Sequence, residues 1–308
     1  MSIGASAIAD LRQRAPAIAA TVDAPLASRT TFGIGGPADV LVEASSTHDV
    51  QSVLAWTRDH GLPIFVLGGG SNLLIADKGV RGCVLTLVGA LKDLKREQGG
   101  ARLVVGAACS FPKLTRAAID LGWPSAIGWI GTPGQVGGAL RMNAGSRDGE
   151  IGDVVIEVSG TTPDHHVVLR REECRFRYRG SEFPSDIVLT SVILQCDNHQ
   201  NEDPKALDVR ARELLARRHR TQPKLRSAGS IFKNPPGDFA GRLIEAAGLK
   251  GLAQGGARIS EVHANFIVNA GGARAADVIA LAEVAERTVA ERFGVHLEWE
   301  VRRIGDFS

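Results

Sequence analysis

The segment at 227–235, SAGSIFKNP, holds several groups that can do chemistry within a short distance. Ser230 follows a glycine and offers a hydroxyl, Lys233 offers a cation, and Asn234 offers an amide. Pro235 and the proline after it lack the amide hydrogen that a helix or a sheet ladder needs, so regular structure should end there. The pattern indicates a rigid binding loop. Taken alone, it is also compatible with an ordinary surface turn.

Two glycine-rich loops form a second group of candidate binding residues. They are GGGSN at 68–72, which follows an apolar run, and GTPGQVGGALRMNAG at 131–145. Bare backbone amides can converge on phosphate oxygens, so two such loops suit a dinucleotide lying between two lobes. Neither loop has the GxGxxG of a Rossmann fold or the GK[ST] of a P-loop, and a bulge that needs glycine is the alternative. The predicted cofactor-binding residues are Gly68, Gly69, Gly70, Ser71, Asn72, Leu73, Gly131, Thr132, Gly134, Gly137, Gly138 and Asn143.

The composition is typical of a soluble globular protein with two or three domains. The chain has 308 residues, 44% hydrophobic and 23% charged, and its net charge of +2 provides no field that would attract nucleic acid or an acidic membrane. The four cysteines lie far apart and lack CxxC or CxxH spacing, which argues against a zinc site and a disulfide framework and favours a reducing cytoplasm. No signal peptide is recognisable, and no apolar stretch approaches the roughly 20 residues of a membrane span.

Apolar periodicity and glycine positions predict an α+β chain with two regions. The first, at 22–200, contains a helix capped by Ser46 and Asp49 and ended by Gly61. The N-terminal 25 residues read as a weakly helical lead-in, and a polar linker is predicted at 198–204. The second region, at 201–308, contains a helix beginning at Pro204, a long helix closed by Gly294, and strands at 265–269 and 295–304. Further strands are predicted at 63–67, 154–158, 167–169 and 187–195, and further helices at 112–121 and 239–247.

The predicted last strand has two different faces. Leu297, Trp299 and Val301 should point to one side, and Glu298 and Glu300 to the other, because side chains alternate along a strand. Two carboxylates on one polar face are candidates for acid–base work, and periodicity alone does not choose between them.

Seven motifs in a fixed order carry a family resemblance. They are TTFGIGGPAD at 30–39, VLGGGSNLL at 66–74, GTPGQVGGALRMNAG at 131–145, CRFRYRGSEF at 174–183, SAGSIFKNP at 227–235, SEVHANFIVN at 260–269 and LEWEV at 297–301. In these motifs the chain resembles the UDP-N-acetylenolpyruvoylglucosamine reductase family, from about residue 25 to its end. It is similar to the shorter class of the family, which lacks an extra tyrosine-bearing loop, and Tyr178 is the only tyrosine present.

The resemblance implies both a fold and a reaction. The fold would be α+β, with a two-lobed FAD-binding half of the PCMH or vanillyl-alcohol-oxidase type and a smaller C-terminal substrate domain. FAD would take a hydride from NADPH and pass it to the enolpyruvyl ether of UDP-N-acetylglucosamine, which gives UDP-N-acetylmuramate for peptidoglycan. The flavin should be noncovalent, because neither glycine loop contains a histidine. A cytoplasmic monomer is expected.

The resemblance also implies roles for individual residues. Reduction of the enolpyruvyl group places negative charge towards its carboxylate, so the site needs a cation and a proton donor. Arg179 matches the catalytic arginine that would hold this carboxylate, although a surface ion pair is the common role of an arginine. Ser230 matches the proton donor, although a turn serine is the alternative. Glu300 matches the second glutamate of the LExEV motif, where it would polarise or relay around the reacting carboxylate.

Other residues are implied as substrate contacts, and some positions depart from the family pattern. The contacts would be Tyr178, Lys233, Asn234, His263 and Asn265, of which the last two fit a structural polar role at least as well. Arg218, Arg220 and Lys224 could hold the UDP diphosphate or simply favour a helix end. The departures are Gly33 in place of a basic residue, Gln135 in place of a small hydroxyl residue, and Arg147 in place of an aromatic one.

Two other functional classes remain alternatives to this reductase function. One is a flavin-dependent oxidase of the same fold that returns electrons to oxygen. The other is a nonenzymatic nucleotide sensor, against which the presence of Arg179, Ser230 and Glu300 argues.

Overall fold

The computed structural model describes residues 3–97, 102–196 and 201–307, and the chain divides into two compact units. Unit 1 comprises Met1–Val22, Val40–Gly69 and Gly82–Ala216, and unit 2 comprises Asp23–Asp39, Gly70–Arg81 and Arg217–Ser308. Unit 2 therefore takes two short N-terminal segments together with the C-terminal part of the chain. The predicted division by role, at 22–200 and 201–308, stays a prediction. Residues 198–200 of the predicted linker lie outside the described residues.

The helices begin and end at residues that the sequence marks for this. Ser46 and Asp49 form a reciprocal capping box at the start of the second helix, and Gly294, with a φ of 68°, closes the last one in the left-handed conformation. Among the described residues, none of the helices is long and apolar enough to cross a membrane. The α-helices are α1 (Ala5–Arg14), α2 (Thr47–Asp59), α3 (Phe111–Asp120), α4 (Val136–Met142), α5 (Pro204–Thr221), α6 (Ala240–Ala246) and α7 (Ala275–Phe293).

The strands are short, and most of them lie in antiparallel pairs. In chain order they are β1 (Ala19–Pro25), β2 (Pro37–Ala44), β3 (Ile64–Val66), β4 (Leu73–Ile75), β5 (Val80–Leu87), β6 (Leu94–Arg96), β7 (Arg102–Gly106), β8 (Gly145–Ser146), β9 (Gly149–Glu150), β10 (Val155–Thr161), β11 (His166–Arg170), β12 (Val188–Gln195), β13 (Ala253–Gln254), β14 (Ala257–Ile259), β15 (Ile267–Asn269) and β16 (Arg302–Ile304). A four-stranded sheet has the order β1-β2-β5-β3, in which β3 runs parallel to β5.

Unit 1 is built around an antiparallel sheet and a large apolar core. The sheet has the order β11-β10-β12-β7-β6, and the hairpin of β8 and β9 lies apart from it. Three tryptophans, Trp56, Trp123 and Trp129, are fully buried in this core with Phe111. Burial of such large aromatic side chains contributes much of the hydrophobic free energy of folding, at about 25 cal/mol per Å² of apolar area.

Unit 2 has its own core between a small sheet and two helices. The sheet has the order β13-β14-β15, and α6 and α7 contribute Leu243, Ile244, Val278 and Ala282 to the core. A separate parallel pair joins β4 to β16, with Leu73 opposite Arg302. This pair attaches the end of the first glycine loop to the end of the chain.

Two of the element predictions are wrong in part. The lead-in is helical only over α1, and residues 19–25 form β1 instead, so a helix does not run to residue 25. The last strand is regular only over β16 and not from Val295 onwards. Between Leu297 and Val301 the chain pairs with an irregular loop, although the predicted burial of Leu297 and Val301 is present.

Candidate active site

The loop of Ser230 and the LEWEV segment are hydrogen-bonded to each other in unit 2. The amide of Glu300 donates to the carbonyl of Ile231 at 2.8 Å, and the amide of Lys233 donates to the carbonyl of Glu298 at 2.7 Å. Ser230 immediately precedes this ladder. The backbone of Glu300 is therefore bonded to Ile231, the residue that follows Ser230 in the chain.

Trp299, between the two glutamates of LEWEV, packs against aromatic and charged neighbours of unit 2. Its ring meets Phe232 edge to face at 5.6 Å between centroids, and the guanidinium carbon of Arg303 lies 4.9 Å from the ring centroid. Burial raises the pKa of the Glu286 carboxyl on α7 above its usual value, and the influence of Trp299 acts in the opposite direction. Trp299 thus packs towards the body of unit 2, while the Glu298 side chain is 74% exposed.

Asn265 holds the Ser230 loop from the inside. Its Oδ1 accepts from the Phe232 amide at 3.0 Å, and its Nδ2 donates to the Phe232 carbonyl at 2.8 Å. Its own carbonyl accepts from Ile231 at 2.8 Å, and the side chain is buried. These bonds make Asn265 a scaffold residue of the loop, and the predicted direct contact with substrate stays a prediction.

The hydroxyl of Ser230 remains available to a ligand. Gly229 before it has a φ of 82°, which favours glycine, and no heavy atom lies within 4 Å of the position that a Cβ would take there. Ser230 is half-buried, and its Oγ makes no hydrogen bond to any residue in the described part of the chain. A donor of this kind can be directed at a bound substrate without first breaking a protein contact.

The other predicted substrate residues of unit 2 have protein partners. The Lys233 ammonium group forms an ion pair with Glu298, and Asn234 Oδ1 accepts from the Ala240 amide at 3.1 Å, at the start of α6. His263 Nδ1 accepts from the Asn265 amide at 3.3 Å, and burial lowers the pKa of its imidazole. Burial therefore favours the neutral form of His263.

Asn72 links the first glycine loop to the terminal segment. Its Nδ2 donates to the carbonyl of Glu300 at 2.9 Å, and its carbonyl accepts from the Arg302 amide at 3.0 Å. The amide of Thr31, in the first motif, donates to the carbonyl of Gly70 at 3.1 Å. The sequence motifs of unit 2 are therefore in direct contact although they are far apart along the chain.

The amides of the first glycine loop fit an anionic ligand. The N–H groups of Gly68, Gly69, Gly70 and Ser71 donate to no acceptor among the residues at 3–97, 102–196 and 201–307. Backbone N–H groups rarely stay without an acceptor in a folded protein unless water or a ligand takes them. Consecutive free donors are what a phosphate group needs.

In unit 1 the two glycine loops lie against each other. Some of their glycines are required by this close packing, and others leave space for a ligand. A Cβ on Gly69 would come within 2.7 Å of the Gly134 Cα, and a Cβ on Gly68 would lie 3.3 Å from Gln135 Oε1. Gly138, at the exposed start of α4, has no heavy atom within 4 Å of its Cβ position. Gly69 is therefore required by packing, whereas Gly138 leaves room for a ligand. Gln135, one of the departures, packs over the first loop.

Arg179 lies in a tight turn of unit 1 and reaches the second glycine loop. The turn is closed by reciprocal backbone bonds between Arg177 and Gly180, and Arg179 has a φ of 55°. Its Nη1 donates to the Gly145 carbonyl at 2.9 Å, and its guanidinium carbon lies 5.4 Å from the centroid of the exposed Tyr178 ring. A left-handed arginine costs conformational free energy, which is typical of a functional turn.

Asn143 organises the surroundings of that turn. It is buried, with a φ of 44°, and its Oδ1 accepts from the Gly152 amide at 3.0 Å. Its Nδ2 donates to the Arg177 carbonyl at 3.2 Å and to the Glu150 carboxylate. The amide is thus committed to the protein, and the predicted direct contact of Asn143 with the cofactor stays a prediction.

Two residues near these motifs were not among the sequence predictions. Glu150 lies shortly after the second glycine loop, which ends at Gly145, and no motif in the sequence pointed to it. Arg226 precedes the Ser230 loop, and its Nη1 lies 2.7 Å from the Cβ position of Gly33. Arg226 therefore fills the space above Gly33, one of the predicted departures. Arg147 is exposed.

Comparisons with known proteins agree with these motifs. Residues 222–304 match the family described as UDP-N-acetylenolpyruvoylglucosamine reductase, C-terminal domain, and residues 38–169 match the FAD binding domain family. A reductase of that name from Anaeromyxobacter sp. (strain Fw109-5) is 43% identical over 286 residues, which cover 92% of this chain and 88% of the relative. One from Rubrobacter xylanophilus is 40% identical, covering 94% of this chain and 96% of the relative.

The chain belongs to the UDP-N-acetylenolpyruvoylglucosamine reductase family. The crystal structure of the reductase (MurB) from Thermus caldophilus matches with a TM-score of 0.78 at 38% identity, covering 93% of this chain and 98% of that one. As a member of this family the chain is an FAD-dependent oxidoreductase of peptidoglycan synthesis. The α+β fold class predicted from the sequence is confirmed.

Proposed function

We propose that this member of the family reduces the enolpyruvyl group of UDP-N-acetylglucosamine-enolpyruvate to UDP-N-acetylmuramate, with NADPH as the electron donor. The hydrogen bonds of Glu300 to Ile231 and to Asn72 support the proposal, because they hold a carboxylate-bearing residue next to the loop of Ser230, whose hydroxyl has no hydrogen bond to the described residues. The predicted cytoplasmic location and monomeric state stay predictions.

The residues present fit FAD as the cofactor. The free amides of Gly68, Gly69, Gly70 and Ser71 would bind its phosphate oxygens, and the open space at Gly138 would admit part of it. When bound, FAD supplies the hydride transfer that links nicotinamide oxidation to reduction of the carbon–carbon double bond.

The chain's own residues supply charge and a proton. Arg179 binds the substrate carboxylate and stabilises the negative charge that accumulates there as hydride reaches the far carbon. Ser230 Oγ donates a proton to the other carbon of the double bond, because an enolate-like carbon is basic enough to take it from a hydroxyl. Glu300 polarises the groups around the reacting carboxylate. The result is one added hydride and one added proton.

The test is the visible spectrum of the purified protein under anaerobic conditions. NADPH should bleach the flavin absorbance, and the enolpyruvyl substrate should restore it with formation of UDP-N-acetylmuramate. If oxygen restores the flavin absorbance and the enolpyruvyl substrate does not, the proposal is contradicted and an oxidase is favoured. A protein that does not bleach at all would favour a nucleotide-binding role without catalysis.

A further inference from the structure

A glutamate that the proposed reaction does not use lies in the hairpin that holds Arg179 in unit 1. Glu150 is paired with Gly145 across the hairpin of β8 and β9. The Gly145 carbonyl is also the acceptor for Arg179 Nη1, at 2.9 Å. The hairpin therefore holds the guanidinium by a carbonyl of β8 and carries Glu150 at the paired position of β9.

The Glu150 side chain is itself held in place. Asn143 Nδ2 donates to its carboxylate, and the same Nδ2 donates to the carbonyl of Arg177, which closes the turn of Arg179. The backbone of Glu150 is fixed as well, because its amide donates to the Asp153 carboxylate at 2.7 Å. These contacts connect the position of the carboxylate to the position of the arginine turn.

The groups around Glu150 shift the pKa of its carboxyl in opposite directions. Burial raises the pKa of its carboxyl above the ordinary value, and the charge of Asp153 raises it further. Arg179 and the hydrogen bond from Asn143 lower the pKa. Asp153, from the turn after β9, and Arg179, from the turn at 177–180, are thus the charged groups that act on Glu150.

We propose that Glu150 is a positioning residue for Arg179, whose guanidinium it restrains in the orientation that receives the substrate carboxylate. A free arginine side chain has about 2 kcal/mol of rotamer entropy, so the electrostatic attraction of the Glu150 carboxylate, added to the hydrogen bond with the Gly145 carbonyl, reduces the ordering that substrate binding requires. Groups oriented before the reaction stabilise developing charge best. The inference rests on the role proposed for Arg179.

The test uses Glu150→Gln, which keeps the size of the side chain and removes its charge. Reoxidation of the flavin by the enolpyruvyl substrate should slow about tenfold or more, and reduction by NADPH should change by less than about twofold, because Arg179 acts only in the second step. In the wild type the reoxidation rate should fall as the pH drops through the raised pKa of Glu150. This fall in rate at low pH, the acid limb of the pH profile, should be absent in Glu150→Gln. It should be present in Glu150→Asp, which keeps the charge.

Thermal unfolding of the flavin-free proteins gives a readout independent of catalysis. An acid whose pKa is higher in the folded than in the unfolded state stabilises the fold at low pH, and this contribution is lost as the pH rises through the folded-state pKa. At pH 7.5 the charged Glu150 therefore opposes folding, and Glu150→Gln should not lower the melting temperature. A purely structural carboxylate would predict a lower melting temperature.

Glu182→Gln is the matched control, because Glu182 pairs with Arg175 and Arg177 on the exposed side of the same motif. It should leave both half-reactions within about twofold of the wild type, as expected for a surface pair. The inference is overturned if Glu150→Gln reoxidises at the wild-type rate, keeps the acid limb, or loses stability and slows both half-reactions equally. If the wild type itself does not react with the enolpyruvyl substrate, the proposed function fails instead.

Discussion

Lys233 and Glu298 are joined by an ion pair between their side chains and by a 2.7 Å hydrogen bond between their backbones. The Glu298 side chain is 74% exposed, so the ion pair contributes little to the free energy of folding. Glu300 is in other surroundings, because Ile231 and Asn72 bind its backbone. Two glutamates that alternation places on one face are thus distinguished by their neighbours.

This difference predicts opposite results for two matched substitutions. Glu300→Gln should slow flavin reoxidation by the enolpyruvyl substrate at least about a hundredfold, the lower range for loss of an acid–base group. Glu298→Gln should slow it less than about tenfold, or roughly 1.4 kcal/mol, because Glu298 only anchors Lys233. Stopped-flow absorbance of the flavin in both variants measures the effect. Greater sensitivity at Glu298 would require a different site assignment for the terminal segment.

Removal of the Ser230 hydroxyl should affect one half-reaction only. Ser230→Ala should slow reoxidation by the enolpyruvyl substrate on the order of 10² to 10⁴, the range for a lost positioned acid. The fold should persist, because no hydrogen bond of this hydroxyl to the described residues is lost. Bleaching by NADPH, recorded under the same conditions, serves as the internal control. Equal slowing of both steps would mean that Ser230 supports the fold or the flavin instead.

The flavin should be released intact when the protein is denatured. Neither glycine loop contains a histidine that could form a covalent bond to FAD. After acid precipitation, all of the yellow colour should be in the supernatant, measured by its absorbance. A coloured pellet would contradict this expectation and return attention to the oxidase class.

Two glycine substitutions separate packing from cofactor binding. Gly69→Ala should destabilise unit 1, because its Cβ would lie 2.7 Å from the Gly134 Cα and backbone atoms cannot yield cheaply. Gly138→Ala meets no atom within 4 Å and should stabilise α4 of the flavin-free protein by up to about 1 kcal/mol. The same variant should bind FAD more weakly. Thermal unfolding and FAD titration of both variants test this, and unchanged affinity in Gly138→Ala would exclude Gly138 from the cofactor site.

Local elements were predictable because their signals act within one or two turns of chain. The capping box of Ser46 and Asp49 satisfies amides three residues apart, and Gly294 closes α7 because glycine tolerates a φ of 68°. The prediction for the last strand was wrong over 295–301, because alternation of apolar residues shows which side chains are buried but not what the backbone pairs with.

The sequence by itself determined the family, the order of the motifs and the residue types that the reaction needs. Tertiary structure decided which of these residues touch. Asn72 and Glu300 are 228 positions apart, and Asn265 holds a loop 33 positions before it. Such contacts depend on how cores pack and how segments come together in space, and these are properties of the whole chain. For the same reason Glu150 acquired a role beside Arg179 that no pattern in its own segment could indicate.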